Sequence, residues 1–173
     1  MLLNGYKFDL RIYVALTSVN PLRIYIYEEG LARLATEKYD TQDLKNVYSH
    51  LTNYSINKKN KAYTNPHEKQ QQSNNTAKAT RTKWPLKDFK AFLEKLKLYD
   101  TSREAKNLNV DHLFEQIHEI IVKTIISAEP LLWNGIEMML PNTYSYAGSS
   151  SQIDTNKKNN NCFELLGFDI LID

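Results

Sequence analysis

The sequence predicts an α+β fold, an antiparallel sheet with flanking helices, and three observations carry that expectation. Residues 7–16 alternate: Phe8, Leu10, Ile12, Val14 and Leu16 fall on one face, Lys7, Asp9 and Arg11 on the other, the period-two pattern of a strand. Leu86, Phe89, Phe92, Leu93 and Leu96 recur instead at helical spacing, with lysines between them. Residues 163–173 return to strand character around Leu165, Leu166, Phe168 and Ile170.

Taken in order, Asn20-Pro21 is a turn signal, and residues 23–27 form a second strand, so residues 7–27 read as an antiparallel hairpin. Glu28-Glu29-Gly30 closes that hairpin, and Leu31-Ala32-Arg33 follows as a turn or short extension. Residues 50–58 read as a loop rich in Asx and Ser/Thr turns. A second helix starts near Asp111 with a stripe of Leu113, Phe114, Ile117, Ile120, Ile121, Thr124 and Ile125, and Pro130 ends or kinks it. Residues 63–82 and 142–161 are polar, Gln-, Asn- and Ser-rich insertions that read as mobile loops. Both ends of the chain read as cut, the last strand stopping without a partner.

At 173 residues the chain suits one domain, and 42% hydrophobic with 24% charged residues is the balance of a globular protein. No apolar run reaches the roughly 20 residues of a membrane span, so no membrane partner is expected. A net charge of +2 is too small to argue for a polyanion, and no nucleic-acid motif occurs, so no nucleic acid is expected. Cys162 is the single cysteine, which rules out an internal disulfide. P-loop, GxGxxG and CxxC motifs are all missing.

Lys7, Asp9 and Arg11 on one strand face have two readings: a solvent-facing edge whose charges satisfy one another, or a sheet floor for a nucleotide triphosphate. Residues 50–58 are a loop in one reading and a source of hydroxyl and amide contacts to phosphates or an amino acid in the other. Asp169 sits among apolar neighbours and needs a partner, either a magnesium ion or a basic side chain such as Arg11.

Six blocks in order then carry a resemblance: residues 7–11 (Lys-Phe-Asp-Leu-Arg), 27–33, 50–58, Lys83-Trp84, 125–130 and 163–169. They resemble the tubulin–tyrosine ligase-like family, and most its polyglutamylase branch. The resemblance implies that residues 1–173 are the central and C-terminal portion of one ATP-grasp-type ligase domain, a partial ATP-grasp-like fold. It implies ATP and Mg2+ as cofactors and an acyl-phosphate intermediate. Its implied partners are free L-glutamate and the acidic C-terminal tails of tubulin or microtubules. The setting it implies is the cytoplasm and cytoskeleton, with the cilium or basal body. Position by position, Lys7, Asp9, Arg11, Thr52 and Asn53 match ATP contacts. Arg33, Tyr54, Ser55 and Lys83 match the amino-acid site, Asp169 matches a magnesium ligand, and Arg11 and Arg33 match the catalytic arginines. A chain with Asp169 alone of the family's metal ligands is expected to be inert by itself. The competing expectations are glycine or tyrosine ligation on the same scaffold and a non-catalytic microtubule-binding remnant.

Overall fold

The computed structural model describes residues 1–61, 63, 82–99, 109–139 and 162–173. Apart from Tyr63 and Thr82, both polar insertions lie outside the described residues. Among those described, strands β1 (Phe8–Val19), β2 (Leu22–Leu34), β3 (Lys83–Pro85) and β4 (Glu164–Ile170) form a four-stranded sheet in the order β3-β2-β1-β4. The helices are α1 (Val47–His50), α2 (Tyr54–Asn57), α3 (Leu86–Tyr99) and α4 (Val110–Met139). The arrangement is the α+β one expected.

The hairpin is longer than the sequence pattern indicated. A cis Asn20–Pro21 bond lies at its turn, and β2 does not close at Gly30 but continues to Leu34. Gly30 permits this continuation, because a Cβ there would stand 2.5 Å from the carbonyl oxygen of Arg11. A residue chosen as a breaker is therefore a close-approach point inside a strand. β3 was not foreseen at all. It has three residues, pairs antiparallel with β2 and ends in Pro85, which an edge strand tolerates because it donates no bond on its outer side. β4 lies beside β1, so the last strand has a partner after all.

The chain divides into two compact units. The first comprises Met1–Ile12, Glu28–Val110 and Phe168–Asp173. Its core is built from Phe8, Leu10, Ile12, Ala32 and Leu34 of the strands and Leu86, Phe89 and Leu93 of α3, all buried. Leu86, Phe89 and Leu93 fall at i, i+3 and i+7, one face of a helix. The Phe8 and Phe89 rings meet at 5.3 Å. Burying each such side chain contributes about 1.5–3 kcal/mol, which fixes the register of β1 on α3.

The second unit comprises Tyr13–Tyr27 and Asp111–Gly167. Val14, Leu16 and Val19 are buried in it, as are Phe114, Ile117, Ile121 and Ile125 of α4. That stripe is narrower than expected: Ile120 is 54% exposed and Thr124 is exposed, its hydroxyl donating to the Ile120 carbonyl at 2.8 Å. At 100° per residue Ile120 points well away from Ile121. Pro130 does not end α4, which runs on to Met139. Proline costs the helix one ladder bond without stopping a helix already propagated on both sides.

Candidate functional site

The charged face of β1 is not a loosely satisfied edge, because β1 lies between β2 and β4. Its three charged residues all bond to partners outside β1. Asp9 is 3% exposed and Arg33, on β2, 8% exposed. Arg33 donates from Nε to Asp9 Oδ1 at 3.2 Å and from Nη2 to Asp9 Oδ2, a two-pronged buried ion pair. On the other side of β1, Arg11 donates from Nε and Nη2 to the two oxygens of Asp169 on β4, the second at 3.0 Å. Arg33 Nη2 also reaches Asp169 Oδ2 at 3.0 Å. Asp9, Arg11, Arg33 and Asp169 thus form one alternating network across three strands.

Asp169 is not embedded in apolar company: its side chain is 45% exposed. The bond from Arg11 lowers its pKa below the ordinary carboxylate range, against a small opposing effect of burial and with added help from Arg33. Arg33 is subject first to burial, which lowers its pKa; the bonds and charges of Asp9 and Asp169 outweigh this and raise it. Both groups stay charged throughout the physiological range.

Beside this floor lies a cradle formed by the segment read as a loop. It is two short helices, with the Asn46 side chain capping α1 through the Tyr48 amide at 3.1 Å. Buried Asn57 donates to the carbonyls of Leu51 at 2.8 Å and Asn53 at 3.2 Å, and accepts from Thr36 Oγ1 at 2.8 Å. Glu37 accepts from Asn46 and from Asn60, both at 2.7 Å. These bonds, Asn46 first, lower the Glu37 pKa. Lys7 donates from Nζ to the His50 carbonyl at 2.8 Å, tying the start of β1 to the end of α1. Thr52 is half-buried and Asn53 exposed between the two helices, and Tyr54 and Ser55 are exposed in the first turn of α2.

The register of β3 completes the site. Lys83 is the cross-strand partner of Arg33, so both side chains stand on one sheet face, with Cβ atoms about 5 Å apart. Lys83 Nζ rests 4.1 Å from the centre of the Tyr54 ring, and Lys58 Nζ approaches the same ring at 5.5 Å. Arg33, Lys83 and Tyr54, which are far apart in sequence, are brought together. So are Asp9, Arg11 and Asp169, while Lys7, Thr52 and Asn53 belong to the cradle. Thr36, Glu37 and Asn60, which shape the cradle, were missed, while Asn57 lies in the segment 50–58 already singled out. Their one sequence signal was the density of short amide side chains around residues 46–60.

Among the described residues no three His, Cys, Asp or Glu side chains gather to hold a metal ion. Asp169, whose oxygens Arg11 and Arg33 hold here but whose side chain is 45% exposed, fits a share in a magnesium ion once those arginines turn to the phosphates that arrive with it, since that ion commonly takes one or two carboxylates plus substrate oxygens.

The four-stranded sheet with its flanking helices is an α+β arrangement consistent with part of an ATP-grasp-like ligase domain. The chain belongs to the tubulin-tyrosine ligase family, whose model matches residues 1–173. It is 39% identical to the tubulin monoglutamylase TTLL4 of Mus musculus, over 99% of this chain and 12% of that protein. It is 37% identical to the tubulin polyglutamylase TTLL6 and 38% to the tubulin polyglutamylase TTLL7, both of Homo sapiens, over 99% of this chain and 16% of each relative. The chain therefore spans less than a fifth of the length of these relatives.

Proposed function

We propose that this chain forms part of the catalytic core of an ATP-dependent ligase that joins L-glutamate to glutamate side chains in the acidic C-terminal tails of tubulin. The observation that carries the reading is the Arg33–Lys83 register, which sets two cations side by side for an amino acid with two carboxylates. Arg33 holds the α-carboxylate through its planar fork, and Lys83, steadied on the Tyr54 ring, holds the side-chain carboxylate. Ser55, next to Tyr54 in α2, would add a hydroxyl. Glycine offers no second carboxylate to Lys83, and tyrosine presents a neutral phenol. The names of the three relatives point to the same substrate pair.

Lys7, Arg11, Thr52 and Asn53 line the nucleotide side of the reading. The acceptor carboxylate attacks the γ-phosphorus of ATP and releases ADP. The glutamate amine then attacks the acyl carbon, loses a proton and expels phosphate with the bonding electron pair. Arg11 neutralises charge on the transferring phosphoryl group, and binding and positioning supply the rest of the acceleration. A magnesium ion shared by Asp169 and the phosphates would offset phosphate charge. The setting of the activity is the cytoplasm and cytoskeleton, including the cilium or basal body. Among the described residues no helix is long and apolar enough to cross a membrane.

The test is incorporation of labelled glutamate, glycine and tyrosine into tubulin by the intact protein, with ATP present. Glutamate incorporation whose KM for glutamate rises sharply in Arg33→Gln, with residual turnover, supports the reading. Incorporation of glycine or tyrosine in its place would overturn it.

A further inference from the structure

Family resemblance places Asp9 among the ATP contacts, but its surroundings describe another role. Its side chain is 5% exposed, and both of its oxygens are engaged by one guanidinium: Oδ1 by Arg33 Nε at 3.2 Å and Oδ2 by Arg33 Nη2. A buried carboxylate so engaged has little left with which to meet a nucleotide lying on the open side of the sheet. We propose that Asp9 is a positioning residue for Arg33, and that it acts on the reaction through the incoming amino acid, not through ATP. The inference rests on the reading that Arg33 binds the amino-acid carboxylate.

The geometry explains why such a residue is needed. Arginine carries several rotatable bonds, and fixing them at the moment of binding costs affinity. Asp9 takes the guanidinium side-on, through Nε and Nη2, and leaves the outer end of the fork for a second carboxylate. That outer end is where Asp169 Oδ2 reaches Nη2 at 3.0 Å, so the structure already shows a second carboxylate accepted there. The backbone holds the anchor as firmly: Asp9 sits between Phe8 and Leu10, both buried in the first unit's core. A ligand arginine fixed in this way presents its donors without first having to be ordered.

The closing experiment is steady-state kinetics of the intact protein and its Asp9→Asn, Arg33→Gln and doubly substituted forms, varying glutamate and ATP separately. Asp9→Asn should raise KM for glutamate about tenfold or more while KM for ATP stays within about threefold, since a misplaced binding group can cost up to two orders of magnitude. The double variant should be no worse for glutamate than Arg33→Gln alone, because Asp9 acts through that arginine. A tenfold rise in KM for ATP with unchanged KM for glutamate would overturn the inference, as would additive effects in the double variant. If Asp9→Asn does not fold, Asp9→Glu keeps the charge but displaces it by one methylene, and the same split between the two KM values decides. Should Arg33→Gln leave KM for glutamate unchanged, the reading of Arg33 itself fails. A failure confined to Asp9→Asn removes the positioning role alone.

Discussion

The floor of the site and the cradle beside it are held together by different chemistry. On the floor, Asp9, Arg11, Arg33 and Asp169 are fixed by charge, each arginine gripping a carboxylate on a neighbouring strand. In the cradle, Asn57 and Asn46 fix the backbone around α1 and α2 through neutral amides, Asn60 ties Thr36 to Glu37, and the charged Lys7 and Glu37 bond to neutral partners. Ion pairs can exchange partners when a phosphate or carboxylate arrives, because an incoming anion competes directly for the arginines. Amide bonds to backbone carbonyls have no such competitor. On the proposed function, the exposed Arg11–Asp169 pair of the floor is the part expected to respond to ligand, and the cradle the part expected to keep its shape.

Substitutions should separate the two. Arg33→Gln leaves Asp9 as a buried, uncompensated carboxylate, and the intact protein should lose about 3–5 kcal/mol in urea unfolding, the cost typical of breaking such a pair. A loss below about 1 kcal/mol would mean that Asp9 is not committed to Arg33. Asn57→Ala removes three cradle bonds and strands the Leu51 carbonyl, with an expected loss of about 1–3 kcal/mol. That loss should be the same in low and in 1 M salt, since no net charge is involved. A strongly salt-dependent loss would mean that charge, not amide bonding, holds the cradle.

The smallest effect concerns pH. The folded pKa of Glu37 is lowered by its bonds to Asn46 and Asn60, so its contribution to stability is fully present above the ordinary glutamate value of about 4.3. It is lost as pH falls through the lowered folded value. Carboxyl-carbon NMR should report a Glu37 titration midpoint below the ordinary glutamate value, and Asn46→Ala should move it upward. A midpoint at the ordinary value would remove Glu37 from the cradle's framework.

The same contrast explains what could be read from the sequence. The alternation of residues 7–16 located β1 and put Lys7, Asp9 and Arg11 on one face, because a strand's period depends only on its own residues. The partners of those charges could not be read, since Arg33 lies 24 residues from Asp9, and Asp169 lies 158 from Arg11. Asp169 looked buried from its apolar neighbours, yet alternation turns those neighbours to the other face of β4. The shortest strand escaped notice because three residues hold too few periods to detect, and it is that strand which sets Lys83 opposite Arg33. The two cradle helices, four residues each, escaped for the same reason.

The central claim is that Arg33 and Lys83 together read the two carboxylates of glutamate. The most direct test is calorimetric binding of L-glutamate and L-glutamine to the intact protein, with and without Lys83→Met. The account predicts a preference for glutamate of about tenfold or more, as expected for a charge-assisted contact, falling to about twofold or less in the variant. An undiminished preference in Lys83→Met would contradict it and return Lys83 to the surface.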